Sequence, residues 1–300
     1  MSDYRAHFDF AIRFANGGGL TGEGFRLDLP APEIAEPDLE LLLVRHLGLT
    51  LVESVRLTGV EIVEEAHRGS REVEAPVARS TRVVDLSHPI RAGLVTYPGL
   101  PAPTITPHLT REDSRAKYAP GTQFAIDAIT MVGNTGTYLD SPFHRYADGA
   151  DLAGLSLDTL VGLPAEVFRL TDAAERGIRP ETLADRDVRG AAVLLHTGWD
   201  RHFGRPEYGV GSPFLTEAGA RWLIEAGAVL VGIDSLNIDD TESGGERPAH
   251  TLLLDAGVHV VEHLTNLGAL PPRGARFTAA PPAVEGFGTF PVRAFAELPA

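Results

Sequence analysis

Three successive stretches constrain the fold of this chain more than any others: an apolar run at residues 191–195, an amphipathic stretch at 216–228, and a second apolar run at 229–233. In the middle stretch Thr216 stands where a helix cap belongs, Glu217 falls in the first turn, Trp222, Leu223 and Ile224 form the apolar stripe, and Gly227 marks the end. Apolar runs this short, one ahead of a helix and one following it at once, read as buried strands. Strand, helix, strand in that order implies an α/β domain. Further apolar segments at 82–86, 124–131, 165–170 and 258–261 extend the series. With 300 residues, 43% of them hydrophobic and 22% charged, the chain is long enough for one large core and a second, smaller one.

The smaller one comes first. Residues 9–14 and 24–29 alternate apolar and polar around a glycine-rich turn, 37–47 have helical spacing, and 51–63 return to strand-like alternation, giving a small ββαβ unit. Residues 68–81, charged and containing Pro76, form the best linker. The expected division is therefore a small α+β module over 1–78 and a larger domain over 79–300, with the boundary near Ala78.

Composition removes several chemistries. There is no cysteine, which excludes disulfides, thiolate nucleophiles and Cys-held metals, so any metal must be held by His, Asp or Glu. Lys117 is the single lysine and a poor basis for Schiff-base chemistry. A formal net charge of -15 disfavours nucleic acid and anionic membranes as partners. No apolar run approaches the roughly 20 residues of a membrane span, and the first residues do not lead into a signal-peptide core. A cytoplasmic location is the expectation.

Gly17, Gly19 and Gly22 satisfy a dinucleotide-binding pattern, but that pattern must open a helix, and Phe25-Arg26-Leu27-Asp28-Leu29 alternates like a strand. A hairpin loop is the expected reading. Nucleophile-elbow, Walker-loop and His-Glu-x-x-His motifs are absent. Asp140 and His144 are four apart with Ser141-Pro142 between them, the way a helix starts; on one face they could share a metal or a water. His250 could begin a helix. Glu262 interrupts the apolar stretch 258–264, and a carboxylate in a buried strand is costly unless paired or coordinated. His263, next along a strand, should face the other way and is expected to be structural or at the surface.

The block from Asn134 to His144, Asn-Thr-Gly-Thr-Tyr-Leu-Asp-Ser-Pro-Phe-His, resembles the His-x-Gly-Thr-His-x-Asp-x-Pro-x-His signature of the metal-dependent cyclase and kynurenine-formamidase family, which includes isatin hydrolases, with two histidines replaced. Asp85-Leu86-Ser87-His88-Pro89, Tyr97-Pro98-Gly99, Thr197-Gly198-Trp199-Asp200, Gly232-Ile233-Asp234-Ser235, His250 and Val261-Glu262 follow the same family order. The resemblance implies an α/β fold around a barrel-like, partly mixed sheet. It also implies that Asp140 and Glu262 correspond to metal-bridging carboxylates, His250 to a ligand of one metal, and His144 to the proton-transfer residue. Asn134 and Tyr138 would deprive the other metal of both imidazoles.

One metal held by Asp140, His250 and Glu262, no metal, and two metals all stay open at this level; zinc and manganese both suit such donors. A phenol is a poor divalent ligand near neutral pH but a good donor to an oxyanion. The first expectation is a hydrolase of an amide-type C–N bond or related carbonyl in a small molecule, with His144 as acid and base. The alternatives are a metal-free cyclase, dehydratase or lyase using His144, Tyr138 and Asn134, and a non-catalytic relative that binds a ligand or partner. Tyr97, Phe143, Tyr146 and Trp199 are candidate walls for the substrate. A homo-oligomer is expected by resemblance.

Overall fold

The structure is a computed structural model that describes residues 2–29, 31–66 and 81–299. The chain divides into two compact units, Met1–Arg79 and Ser80–Ala300. The linker expected at 68–81 and the boundary near Ala78 lie, apart from Thr81, outside the described residues.

The first unit runs β1 (Ser2–Phe14), β2 (Gly19–Leu29), α1 (Glu36–His46) and β3 (Val52–Ala66), the ββαβ order read from its periodicity. β1 is the central strand, antiparallel to both neighbours. Its period-two pattern puts Ala6, Phe8, Phe10 and Ile12 on one face, where they pack with Leu27, Leu57 and with Leu39 and Leu43 of α1. Gly17 and Gly18 close the β1–β2 hairpin, both with positive φ, and no helix follows them. The dinucleotide pattern is thus a turn.

In the second unit the strands are β4 (Thr81–Asp85), β5 (Thr104–Leu109), β6 (Ile126–Thr130), β7 (Tyr138–Asp140), β8 (Leu163–Arg169), β9 (Gly177–Ile178), β10 (Ala192–His196), β11 (Phe214–Leu215), β12 (Leu230–Ile233), β13 (His259–Glu262), β14 (Arg276–Thr278), β15 (Thr289–Pro291) and β16 (Phe295–Pro299). The helices are α2 (Arg111–Ser114), α3 (Glu217–Glu225) and α4 (Pro248–Asp255). Nine of these strands form one mixed sheet curled into a half-barrel, in the order β15-β7-β13-β12-β10-β8-β14-β16-β4. β8, β10, β12 and β13 are parallel; the rest pair antiparallel.

β10 and β12 are buried on both faces, which is why they read as continuous apolar runs. Along β10, Ala192 and Leu194 enter the core that holds Leu139, Val167 and Phe277, while Val193 and Leu195 enter the one beneath α3 and α4. α3 begins as its sequence indicates: the Thr216 hydroxyl accepts from Gly219 N at 3.1 Å. It ends in a Schellman turn, with Ala228 N donating to Leu223 O, Gly227 N donating to Ile224 O, and Gly227 at φ 82°.

Two local expectations are corrected. The segment 124–131 does not join the central sheet; β6 pairs only with β5 in a two-stranded ribbon whose residues are almost all exposed. Apolar content alone could not distinguish a core strand from a ribbon strand. Ser141-Pro142 opens no α-helix either: Pro142–His144 is a single 3-10 turn, and the Ser141 hydroxyl makes no capping bond. Asp140 is held by the sheet, not by a helix face. Among the described residues no helix is long and apolar enough to cross a membrane.

Candidate active site

β7 is three residues long, fully buried, and lies between β13 and β15. Its register fixes the site: Tyr138 is opposite Glu262 of β13, and Asp140 is opposite Thr289 of β15. Tyr138 and Asp140, two apart, share a face, while Leu139 points into the apolar core. β15 reaches this position because two glycines let the backbones touch. A Cβ at Gly288 would lie 2.5 Å from His144 N, and one at Gly133 would meet the Thr289 carbonyl at 2.2 Å.

Four side chains converge here, three of them (His144, His250 and Glu262) lining a cavity of about 450 Å³ and Asp140 buried behind His144 and His250. Asp140, His144, His250 and Glu262 come from β7, the 3-10 turn, α4 and β13. His250 Nε2 is 3.5 Å from Asp140 Oδ2 and 3.5 Å from Glu262 Oε1. His144 Nδ1 is 3.7 Å from Asp140 Oδ1. Thr289 connects these last two: its hydroxyl bonds Asp140 Oδ1, and lies 2.7 Å from His144 Nδ1. A hydroxyl has one proton, and Thr289 donates it to the carboxylate, so His144 Nδ1 must be the donor to Thr289. The lone-pair nitrogen of neutral His144 is then Nε2.

His250 is oriented from behind. Asp239 accepts Ala249 N at 2.6 Å and His250 N at 3.1 Å, closing the start of α4, and takes His250 Nδ1–H at 2.7 Å. This fixes Nε2 toward Asp140 and Glu262. Burial pushes His250 toward the neutral form, but the carboxylates of Asp140, Asp239 and Glu262 outweigh it and raise the imidazole to about 10. Asp140 is held below the usual carboxylate range: burial opposes ionisation, while His250, His144 and Thr289 more than offset it. Burial, with Asp140 adding repulsion, pushes Glu262 up to about 7.

The donor set fits a divalent cation. Asp140 Oδ2 is buried without any hydrogen-bond partner, an arrangement that is costly unless a cation or proton meets it. Two facing pairs separated by 3.5 Å match the ligand–ligand edge of roughly 3.4 Å that tetrahedral zinc bonds of about 2.1 Å produce. The donor atoms of Asp140, His144 and His250 also all lie within 4.8 Å of one another.

Tyr138 is not a ligand. Burial, then Glu262 and Asp140, raise its phenol well above the ordinary value, and its hydroxyl donates to Glu262 Oε2 at 2.6 Å. Its proton is therefore directed at the carboxylate and not into the cavity. Glu262 Oε1 accepts from Ile238 N at 2.6 Å, so no arginine is needed to satisfy this buried acid.

His263 corrects the strand-alternation reading. The strand stops at Glu262, His263 takes φ 56°, and its ring turns back under Tyr138, fully buried. Its Nε2 lies 3.2 Å from the Tyr138 hydroxyl and its Nδ1 2.8 Å from that of Tyr208. Burial lowers it to about 3, so it is neutral. With the Tyr138 proton on Glu262, His263 Nε2 donates to Tyr138, and Tyr208 donates to His263 Nδ1.

Of the candidate walls, Tyr97 lines the cavity, as does Asn134, together with Leu100, Asn237, Thr251 and two arginines. Phe143, Tyr146 and Trp199 do not. The turn after Asp140 directs Tyr146 to the second core, where its hydroxyl donates to Thr251 O at 2.9 Å. Phe143 is half-buried in that turn, its amide bonded to Ala150 O. Trp199 belongs to a separate depression, its indole N–H donating to Tyr208 O at 3.1 Å. Thr289, Asp239 and Arg247 carry no motif that would have picked them out. The one local trace is Gly286-Phe287-Gly288 ahead of Thr289, glycines that imply close backbone approach.

Comparison with known proteins gives concordant matches. The Cyclase family model matches residues 84–240. A kynurenine formamidase of Geobacillus thermodenitrificans is 31% identical over 214 residues, 70% of this chain and 95% of the relative. Isatin hydrolase A of Labrenzia aggregata, solved with benzyl benzoate, superposes with a TM-score of 0.65 at 25% identity, over 76% of this chain and 98% of that one. A protein described as a predicted metal-dependent hydrolase from Bacillus stearothermophilus superposes with a TM-score of 0.57 at 29% identity, over 72% and 98%.

Proposed function

Because the chain belongs to the cyclase family, we propose that it is a metal-dependent hydrolase that opens an amide-type C–N bond, or a related carbonyl linkage, in a small molecule. The observation that carries this reading is the buried Asp140 Oδ2, which makes no hydrogen bond and faces His250 Nε2 at 3.5 Å, where either the His250 proton or a divalent ion meets it. Asp140, His250 and Glu262 would hold one divalent ion, zinc or manganese. Such an ion, when bound, polarises a carbonyl and makes water a stronger acid near neutral pH.

The chain's own residues supply the rest. His144 accepts a proton from the attacking water at Nε2 and returns it to the leaving nitrogen. Asp140, through Thr289, keeps His144 in the tautomer that leaves Nε2 basic. Asp239 fixes the His250 ring, and Tyr138 with Ile238 N fixes the Glu262 carboxylate. Tyr97 and Leu100 give the substrate an apolar wall.

The compact grouping of Asp140, His144 and His250 favours a second reading in which His144 is itself a ligand. Elemental analysis and hydrolysis of a formanilide, on protein purified without chelator, separate the two. The proposal expects about one ion per chain, lost in Asp140→Ala, and retained in His144→Ala with kcat down by roughly 10²–10⁴. Loss of the ion in His144→Ala makes that residue a ligand. Full activity in metal-free protein overturns the metal-dependent reading.

We further propose cytoplasmic work as a homo-oligomer. Its support is the β5–β6 ribbon, which exposes Ile105, Phe124, Ile126 and Ile129. A lone two-stranded ribbon is marginal in water, and such a patch marks an association surface. A monomer by light scattering would refute this part.

A further inference from the structure

Thr289 joins Asp140 to His144 from a weak place in the sheet. β15 is an edge strand of three residues that pairs with β7 alone, and its last residue, Pro291, has no N–H to give to the ladder. Thr289 is the first of the three. A short edge strand frays unless the chain leading into it is tied down, so the seat of the Thr289 hydroxyl depends on residues 286–288.

These residues are fastened by the stretch just beyond His144. Asp151 Oδ2 accepts Gly286 N at 2.7 Å, Leu152 N donates to Phe287 O at 3.0 Å, and Ser141 N donates to Gly288 O at 2.8 Å. The first bond differs from the other two, because a half-buried side chain makes it, to a glycine held at φ 66°. The other Asp151 oxygen accepts Gly154 N at 2.9 Å, so one carboxylate closes its own turn and anchors the strap. The amides of Gly286, Gly154 and Ala153 hold this carboxyl below the usual carboxylate range, which makes the bond to Gly286 a charge-assisted one. The same stretch also holds the other side of the contact. Phe143 N donates to Ala150 O at 3.1 Å, tying the His144 turn to the residue before Asp151. Between strap and turn there is no slack, since a Cβ at Gly288 would lie 2.5 Å from His144 N. A shift of the strap is therefore a shift of Thr289 against the His144 ring.

We propose that Asp151 is a positioning residue: by anchoring Gly286 it seats the Thr289 hydroxyl between Asp140 and His144, and so keeps the His144 proton on Nδ1. Asp151 lines no part of the cavity and gives no atom to the candidate metal donors. Its influence passes through the backbone of 286–288 to one hydroxyl. The proposal rests on the hydrolase reading for the effect on rate, but not for the effect on the ring. A general base whose lone pair is turned away loses its reaction, and small misplacements of this kind are felt strongly.

The test uses the full chain, purified without chelator and carrying isotopically labelled histidine, as wild type, Asp151→Asn and Asp151→Ala. Nitrogen NMR in mildly alkaline solution reads the His144 tautomer, the signals being identified by their loss in His144→Ala, and kcat and KM are measured for formanilide. Wild type should show the proton on Nδ1. Asp151→Ala should show a mixture of tautomers and a kcat lower by about 10-fold, with KM and ion content unchanged. Asp151→Asn keeps an acceptor for Gly286 and should recover part of both. Leu194→Ala, which loosens the core instead of the strap, should leave the His144 signals as in wild type. Unchanged His144 signals in Asp151→Ala, or an equal shift in Leu194→Ala, overturn the proposal, and a shifted tautomer with unchanged kcat overturns its part in the reaction. If wild type does not cleave formanilide, the hydrolase reading fails for that substrate, and the ring signals alone decide what Asp151 does.

Discussion

Asp239→Asn tests the site at the residue that does most from behind it. One Asp239 oxygen accepts Ala249 N, and the other accepts both His250 N and His250 Nδ1–H. An asparagine amide must turn its NH2 toward one of these donors, leaving a buried donor facing a donor at about 1–3 kcal/mol. In a unit of this size each kcal/mol lowers Tm by roughly 2–4 °C. His250 also loses the acceptor that orients its ring, which should weaken divalent-ion affinity about 10- to 100-fold, or roughly 1.4–2.7 kcal/mol. The pH dependence has a definite sign. The folded value of about 10 lies above the ordinary 6.5, so protonated His250 stabilises the metal-free protein fully below pH 6.5, and that contribution fades as pH rises toward 10. An ion at Nε2 must displace this proton, so its affinity should rise with pH across the same window. Without the Asp239 charge the His250 proton is held less tightly, and the window should narrow from its alkaline end. Chelator-competition titrations at several pH values, with thermal melts of the metal-free forms, measure all three effects. Wild-type ion affinity and an unchanged pH window in a folded Asp239→Asn protein would refute this account of how His250 is held.

Four further outcomes follow from the same geometry. Thr289→Val should leave the ion bound but lower kcat by about 10- to 100-fold, through loss of the hydroxyl's hydrogen bond to the charged Asp140 carboxylate and of the His144 Nδ1–H acceptor, and Thr289→Ser should recover most of it. Gly288→Ala places a methyl 2.5 Å from His144 N and should impair activity strongly while far-UV circular dichroism stays native. Tyr138→Phe keeps the ring but strands Glu262 Oε2, so urea melts should show a loss of about 1–3 kcal/mol. Leu194→Ala, in the strand buried on both faces, should cost about 2–5 kcal/mol in the same assay without altering ion stoichiometry.

Much of the fold can be read along the chain. Thr216 and Gly227 bound α3 because a cap and a left-handed C-terminal residue act within a single turn, and β10 and β12 are unbroken apolar runs because both their faces are covered. Where both faces are wet, the same apolar vocabulary at 124–131 indicated a core strand that the sheet does not contain. Strand alternation likewise failed at His263, since one left-handed residue reverses the direction that the pattern assumes.

The sequence by itself singled out the candidate side chains for the proposed chemistry and their order: Asp140, His144, His250 and Glu262, with Asn134 and Tyr138 standing where the family signature has histidines. Only the tertiary structure decided what each of them faces. Asp239 meets His250 across 11 residues of chain, Tyr138 meets Glu262 across 124, and Thr289 meets Asp140 across 149. These pairings follow from strand register and from glycines that let backbones touch, and periodicity reports only the geometry of a residue's own element.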